Sequence, residues 1–130
     1  MTGAGWTSDE LARIGEADEL TVSPLRADGR RGRPVPIWVV RVGDELYVRS
    51  WRGDDGTWYR AACASGEGRI SAGGVERAVA YVPARDEIND AVDAAYRDKY
   101  GRYTGYVEPM VAPQARATTL RIVPREGDRA

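Results

Sequence analysis

The segment that runs from Val35 to Trp51 constrains the fold more than any other part of the chain. Its first half, which ends at Val42, is apolar on both faces, and this is typical of a strand buried on both sides of a sheet. We therefore expect this strand to be central. Gly43-Asp44 is a two-residue turn signal, and apolar and polar residues alternate after it. The segment predicts a β-hairpin within a strand-rich domain.

The rest of the chain supplies further strands and three helices. A capping box at Thr7 and Glu10, with Trp6 placed against Leu11, predicts a first helix that ends at about Ala17. Pro109 and Pro113 predict an irregular connection. The spacing of apolar residues predicts a short helix at 57–64, a long helix between 85 and 103, and strands at 19–26, 69–72, 75–82 and 118–123.

Six antiparallel strands at hairpin spacing, with helices after the third and the fifth strand, predict a mainly β domain of the α+β class. Strands in this arrangement are typical of a closed or partly closed barrel rather than of a doubly wound parallel sheet. No linker or internal repeat divides the chain. We therefore expect one domain over residues 1–130, with its core at about 7–124 and a charged tail at 125–130.

Composition excludes several classes of function. The chain has no histidine, which excludes His-based general bases and His-ligated metal sites, and its single cysteine excludes an internal disulfide and a Cys-rich zinc site. With 19 basic and 20 acidic residues the net charge is −1, so no global field draws the protein to nucleic acid or to an acidic membrane. No signal peptide or membrane-spanning stretch is recognisable. We predict a soluble, cytoplasmic protein without a metal, nucleic-acid or membrane partner.

The first candidate site is the end of the second hairpin strand together with the start of the short helix. A helix amino end presents free amides and a partial positive charge, and nearby guanidinium groups add to a setting that suits phosphate. Aromatic rings beside them offer flat apolar walls for a ring system. A purely structural role, in which the rings fill the core and the arginines lie on a solvated rim, is favoured by residue content alone. The residues concerned are Arg49, Ser50, Trp51, Trp58, Tyr59 and Arg60.

Other features have simpler interpretations. A stripe of tyrosines on the long helix and just after it is able to contact a ligand or a partner subunit, although such a stripe more often seats a helix on a sheet. Cys63 is interpreted as a buried spacer, because no histidine is present to activate it. The carboxylates of residues 86–93 are interpreted as a solvated helix face rather than a magnesium site. The tyrosines are Tyr96, Tyr100, Tyr103 and Tyr106.

Five stretches of the sequence resemble a known protein family, the bacterial domain-of-unknown-function family 2255. They are 33–40 (RPVPIWVV), 44–50 (DELYVRS), 58–62 (WYRAA), 68–76 (GRISAGGVE) and 115–121 (ARATTLR). The resemblance extends from Thr7 to Pro124 and therefore covers nearly the whole chain. The family in turn resembles the split β-barrel flavoproteins, which include pyridoxamine-phosphate oxidase and the deazaflavin-dependent nitroreductases. The resemblance implies a six-stranded antiparallel split β-barrel with flanking helices.

The resemblance also implies a coenzyme site. In that superfamily the coenzyme phosphates lie near the end of the third strand and the following helix, the ring lies against the second and third strands, and the site is usually at a dimer interface. An Asn-Leu pair that follows the aromatic pair in the nitroreductases is Ala61-Ala62 here. Carried over to this chain, phosphate contacts are implied for Arg49, Ser50, Trp58, Tyr59 and Arg60, and ring contacts for Ile37, Trp38 and Val39.

Two functions of different classes follow. The first is a homodimer that binds FMN or an 8-hydroxy-5-deazaflavin coenzyme and transfers a hydride to a small organic substrate, with Tyr59 or Tyr96 as a candidate proton donor. The second is a barrel that has lost the coenzyme and acts as a small-molecule-binding or structural domain. The sequence leaves both open, because a fold carries over to a relative more readily than an activity does.

Overall fold

The computed structural model describes residues 5–26 and 28–125, so most of the predicted charged tail lies outside the described residues. The strands and helices alternate in blocks rather than one by one, as expected for an α+β domain. In chain order the elements are α1 (Ser8–Glu16), β1 (Leu20–Pro24), β2 (Val35–Ile37), β3 (Val40–Val42), β4 (Glu45–Val48), α2 (Thr57–Ser65), β5 (Glu67–Ala72), β6 (Val75–Pro83), α3 (Asn89–Tyr100), α4 (Thr104–Val111), α5 (Pro113–Arg116) and β7 (Leu120–Pro124).

The described strands form one antiparallel sheet of seven strands in the order β2-β1-β5-β6-β7-β4-β3. The two end strands, β2 and β3, follow each other in the chain with only Trp38 and Val39 between them. Three residue steps span at most about 11 Å, so the two edges of the sheet must approach each other. The sheet therefore curls into a half-barrel.

The predicted central strand at residues 35–42 is wrong in two respects. It is divided into β2 and β3, which raises the number of strands from the predicted six to seven, and both pieces lie at the ends of the sheet. Pro36 suits such an end position, because proline has no N–H to donate to a neighbouring strand. The apolar character that indicated a central strand instead arises because this segment packs against two separate cores.

Side chains from the end of α3 hold the backbone at the break between β2 and β3. Trp38 stacks on Tyr100, with parallel rings whose centroids are 3.9 Å apart. The Tyr100 hydroxyl accepts a hydrogen bond from the Val39 N–H (3.3 Å) and lies 2.8 Å from the Asp18 carbonyl oxygen, to which it donates. Lys99 Nζ donates to the Val39 carbonyl oxygen at 2.7 Å. These contacts replace the strand pairing that the break removes.

The two faces of the sheet bury different clusters of side chains. The inner cluster lies inside the half-barrel with α1 and α2 and includes Leu20, Val48 and Ile122. The outer cluster lies under α3 and α4 and includes Tyr47 and Tyr96. Because side chains alternate along a strand, neighbouring residues of β4 contribute to opposite clusters.

Several predicted elements are confirmed. The capping box of α1 is present, since Thr7 Oγ1 accepts from the Glu10 N–H (3.1 Å) and Glu10 Oε1 accepts from the Thr7 N–H (3.0 Å). The turn at Gly43 has φ +61°, which favours glycine, and it joins β3 to β4 as predicted. The predicted irregular connection around Pro109 is wrong. This part of the chain instead forms the end of α4 and the start of α5. Pro113 is compatible with α5 because it lies in the first turn of the helix, where its missing N–H costs little.

In the described part of the chain, no helix combines the length and the apolar character that crossing a membrane requires.

Replacing Tyr100 by Phe tests the role of its hydroxyl at the break. We expect Tyr100→Phe to lower the free energy of unfolding by about 1 to 3 kcal/mol, because the buried Val39 N–H loses its acceptor while the stacking on Trp38 is kept. Tyr106→Phe is the matched control, since Tyr106 is 73% exposed, and it should stay within about 0.5 kcal/mol of the wild type. Urea denaturation followed by circular dichroism measures both. Equal losses in the two variants would contradict the role assigned to Tyr100.

Lys99 makes stability depend on pH above neutrality. Burial lowers the pKa of Lys99 to about 8 from its usual 10.5, although the nearby Asp18 carboxylate acts in the opposite direction. Between these two values the unfolded chain keeps a proton that the folded chain has lost, so the free energy of unfolding should rise with pH. We expect the free energy of unfolding of the wild type, minus that of Lys99→Met, to be constant near pH 7 and to increase between pH 8 and 10. The same difference for the exposed Arg97→Gln control should be constant over this pH range. A constant difference for Lys99→Met as well would contradict the lowered pKa of Lys99.

Candidate functional site

The residues that the sequence singled out lie along the connection from β4 to α2. The chain leaves β4 after Val48, makes a single 3-10 turn at Gly53–Asp55 and enters α2 at Thr57. Residues 49–60 form this connection and the start of α2. We call this connection the β4–α2 junction. Its side chains divide into a buried group and an exposed group.

Arg49 belongs to the buried group, and its guanidinium has no solvent exposure. A guanidinium carries five N–H donors, and each of the five has an acceptor here. Nε donates to Thr119 Oγ1 (2.8 Å), Nη1 to Asp93 Oδ1 (2.5 Å) and the Met110 carbonyl oxygen (2.9 Å), and Nη2 to the Asn89 carbonyl oxygen (3.2 Å) and Asn89 Oδ1 (3.1 Å). Arg49 therefore has no donor left for a ligand phosphate and joins the strand to α3, α4 and the segment before β7.

Asp93 connects this arginine to a second one. Its other carboxylate oxygen lies 3.3 Å from Arg116 Nε, and Arg116 Nη2 donates to the Asp90 carboxylate at 2.8 Å. The Asp93 side chain is only 21% exposed, so the prediction of a fully solvated acidic face is wrong at this position. The sequence shows Asp93 as one of several acids on a helix and contains no local signal for its buried partner.

Ser50 holds the start of the junction close to the start of α2. Its N–H donates to Thr118 Oγ1 at 2.9 Å, and its side chain is buried. A Cβ atom on Gly56 would lie 2.5 Å from Ser50 Oγ, so a larger residue at that position would require the buried Ser50 side chain to shift. Gly56 is also the N-cap of α2 and provides no side-chain cap, so the first amides of the helix have no capping side chain.

Trp51, Arg52 and Arg60 form the exposed group. The Trp51 side chain is 60% exposed, and the Arg52 guanidinium carbon lies 5.6 Å from the centre of its ring. Arg60 lies in the second turn of α2 and is also exposed. Neither of these two arginines has an ion-pair partner within residues 5–26 and 28–125. Their positive charges are thus uncompensated by a direct contact.

Trp58 and Tyr59 lie between the two groups. Both are half-buried against the inner cluster, with their rings edge to face at a centroid distance of 6.1 Å. Burial raises the pKa of Tyr59 to about 12, with further contributions from the Cys63 thiol and the Asp54 carboxylate. The phenol is therefore protonated at neutral pH. Cys63 is exposed, so its prediction as a buried spacer is wrong.

The residues implied to contact a coenzyme ring do not form one surface. Ile37 packs against the inner cluster, as Trp58 does, whereas Trp38 packs against the outer cluster. Val39 and Tyr96 have no exposure, so neither is open to a ligand on the surface. Burial also raises the pKa of Tyr96, whose hydroxyl has no hydrogen-bond partner in the described part of the chain. The contact between Trp38 and Tyr100 covers one face of the indole.

Among the described residues, no group of three or more His, Cys, Asp or Glu side chains is placed to hold a metal ion.

The sequence and the fold were compared with those of known proteins. The sequence model of one family, described as "Uncharacterized protein conserved in bacteria (DUF2255)", matches residues 10–122. No curated protein matches the chain.

Similar folds occur among solved structures. A protein titled "F420 Reductase" superposes with a TM-score of 0.54 at 20% identity, with 88% of this chain and 90% of that chain covered. The FAD and heme binding protein from Mycobacterium smegmatis also gives a TM-score of 0.54, at 19% identity and with 94% and 67% covered. At these identities the similarities concern the fold alone, which this chain shares with both proteins.

Removing the guanidinium of Arg49 tests whether the buried group supports the junction. We expect Arg49→Gln to lower the free energy of unfolding by about 3 kcal/mol, because Asp93 and the backbone carbonyl oxygens lose a buried charged partner. Arg97→Gln is the matched control, since Arg97 forms an exposed ion pair with Glu108, and it should cost at most about 1 kcal/mol. Denaturant unfolding measures both variants. Similar unfolding midpoints for the two would contradict the supporting role.

Proposed function

The chain belongs to the DUF2255 family, and from this membership and its fold we propose that it binds a flavin or deazaflavin coenzyme at the β4–α2 junction. Two structural neighbours are titled for F420 or FAD, which supports a coenzyme of this general class. The single observation that carries the proposal is the exposed group of the junction. It combines two guanidinium groups without an ion-pair partner in the described part of the chain, an exposed indole and a helix amino end without a capping side chain.

These residues fit the phosphate of such a coenzyme. The first amides of α2 and the partial positive charge of its amino end favour an anion, and Arg52 and Arg60 supply charge-assisted hydrogen bonds. Asp54 and Asp55 lie exposed in the same connection and limit the net positive charge. The site is therefore suited to a single phosphate or phosphodiester group rather than to a polyanion.

Other residues of the junction would contact the ring system and the substrate. Trp51 offers an exposed aromatic face, and Ile37 lies on β2, which pairs with the strand β1 on which α2 packs. When bound, FMN or an 8-hydroxy-5-deazaflavin supplies hydride transfer to or from a small organic substrate. Tyr59, which keeps its proton at neutral pH, is the proposed hydrogen-bond donor to that substrate. Tyr96 is not included, because its hydroxyl is buried.

We also propose that the protein is a homodimer whose interface includes the junction. An indole that is 60% exposed beside an arginine is typical of residues that become buried in an interface. In such a dimer the second copy would cover Trp51 and complete the walls around the coenzyme ring.

A second candidate function, a barrel that binds no coenzyme, is favoured by a different observation. Two residues implied to bind the coenzyme already have full structural roles. Arg49 uses all five of its donors inside the protein, and Trp38 stacks on Tyr100. Both roles need only the protein itself, so the barrel is stable without a coenzyme in this second proposal.

Coenzyme titration distinguishes the two functions. We expect FMN or an 8-hydroxy-5-deazaflavin to bind, as measured by quenching of coenzyme fluorescence. Arg60→Gln should weaken that binding by about 2 kcal/mol, or about thirtyfold, because a charge-assisted contact is lost. Arg97→Gln, which removes a distant exposed arginine, should bind as the wild type does.

Three results would contradict the coenzyme-binding proposal or one of its parts. Failure of both coenzymes to bind would leave the barrel without a coenzyme as the better description. Unchanged affinity in Arg60→Gln would remove this residue from the site. Sedimentation velocity on the same samples measures the dimer, and a monomer that binds the coenzyme fully would contradict an interfacial site.

A further inference from the structure

A groove with a volume of about 540 Å³ lies on the outer face of the sheet, beside the connection from β6 to α3. Binding sites for small molecules have volumes of about 300 to 1,000 Å³. None of the residues that the sequence suggested for coenzyme binding lines this groove. It is therefore separate from the β4–α2 junction, and what it binds does not depend on the function proposed above.

The floor of the groove is a row of side chains across three paired strands. Tyr47 on β4 is aligned with Arg121 on β7, and Arg121 is aligned with Val82 on β6. Residues aligned in this way project from the same face of a sheet. Ala84 and Ile88, from the connection between β6 and α3, form an apolar wall. The groove thus joins an apolar surface to one central arginine.

Tyr47 contributes a hydroxyl that has no hydrogen-bond partner among the described residues. The residue is only 6% exposed, yet its hydroxyl makes no hydrogen bond to any described residue. Burial raises the pKa of this phenol, and the nearby Glu45 carboxylate raises it further, so the hydroxyl stays protonated at neutral pH. The hydroxyl is therefore free to bond to solvent or to a ligand in the groove that Tyr47 lines. Tyr47 therefore offers a hydrogen-bond donor to the groove.

The two arginines of the groove are also incompletely engaged. Arg121 Nη1 lies 3.5 Å from Glu45 Oε1, which is longer than a normal hydrogen bond of about 2.7 to 3.2 Å. The Arg121 side chain is 37% exposed. Arg85 is exposed, and it has no ion-pair partner among the residues that the structure describes. Both guanidinium groups therefore retain donors that a ligand is able to use.

We propose that this groove binds a small organic monocarboxylate with an apolar body. The carboxylate would accept hydrogen bonds from the Tyr47 hydroxyl and the Arg121 guanidinium, and the apolar body would lie against Val82, Ala84 and Ile88. A carboxylate matches the planar fork of an arginine.

The charges of the lining favour one negative charge over two. Glu45 and Glu87 offset the two arginines of the groove, so a ligand with a dianionic phosphate meets more repulsion than a carboxylate does. A second groove of about 420 Å³ lies beyond Glu45 and Arg121, both of which line it as well. Because Glu45 and Arg121 line both grooves, we expect a ligand that pairs with Arg121 to be compact enough to stay within the first groove.

Three naphthalene compounds of similar size test the proposal: 1-naphthoate, 1-naphthamide and 1-naphthyl phosphate. We expect calorimetric titration of the full chain to give binding of 1-naphthoate with a Kd below about 1 mM, and about tenfold weaker binding of the other two compounds. Amide-proton NMR spectra should show the shifts at the groove residues and not at the β4–α2 junction. Equal binding of naphthoate and naphthamide, or no shift at the groove up to about 5 mM, would overturn the proposal.

Substitutions identify the groups that bind. Tyr47→Phe and Arg121→Gln should each weaken 1-naphthoate binding about fivefold to tenfold, whereas Tyr106→Phe and Arg97→Gln, which alter exposed residues away from the groove, should have no effect. If Arg121→Gln does not fold, the exposed Arg85→Gln replaces it. Ala84→Trp, which fills the groove, should abolish binding with the circular dichroism spectrum retained. Wild-type affinity in Tyr47→Phe and in both arginine variants would overturn the assignment.

Discussion

The fully buried guanidinium of Arg49 is the interaction on which the arrangement of strands and helices depends. A buried charge must be paired and hydrogen-bonded, and this one needs five acceptors in fixed directions. They come from four residues in three separate parts of the chain, namely Asn89 and Asp93 on α3, Met110 on α4 and Thr119 before β7. Their convergence determines how both helices lie on the outer face of the sheet. It also determines where β4 ends, and so where Trp51 emerges into solvent.

A second constraint acts at the break between β2 and β3, next to β4 in the sheet. Because β2 and β3 form its two edges and are joined by two residues, the sheet has to curl, and the backbone at Val39 loses its strand partners. Tyr100 and Lys99 restore those hydrogen bonds from α3. One helix thus serves both constraints, since its amino end holds Arg49 and its carboxyl end holds the break. This explains why the aromatic residues of α3 are buried rather than available to a ligand.

The regions that remain open to ligands lie away from these constraints. At the β4–α2 junction the buried residues face the protein, which leaves Trp51, Arg52 and Arg60 to face solvent. On the outer face of the sheet α3 covers Arg49 but leaves Tyr47 and Arg121 in the floor of a groove. The two regions differ in chemistry. The junction combines exposed arginines with an aromatic face, whereas the groove combines an apolar surface with balanced charges. Each therefore suits a different class of ligand.

The sequence by itself determined the local elements, since the capping box of α1, the glycine turns and the apolar periods act over a few residues. It also led to the family, whose sequence model matches residues 10–122. The tertiary structure alone decided that residues 35–42 divide at Trp38, because the cause is a stacking contact with Tyr100 far along the chain. It likewise decided that Arg49 is structural and that Tyr47 lines a groove. These roles depend on contacts with residues that are distant in the sequence. The periodicity of apolar residues within one segment carries no information about such contacts.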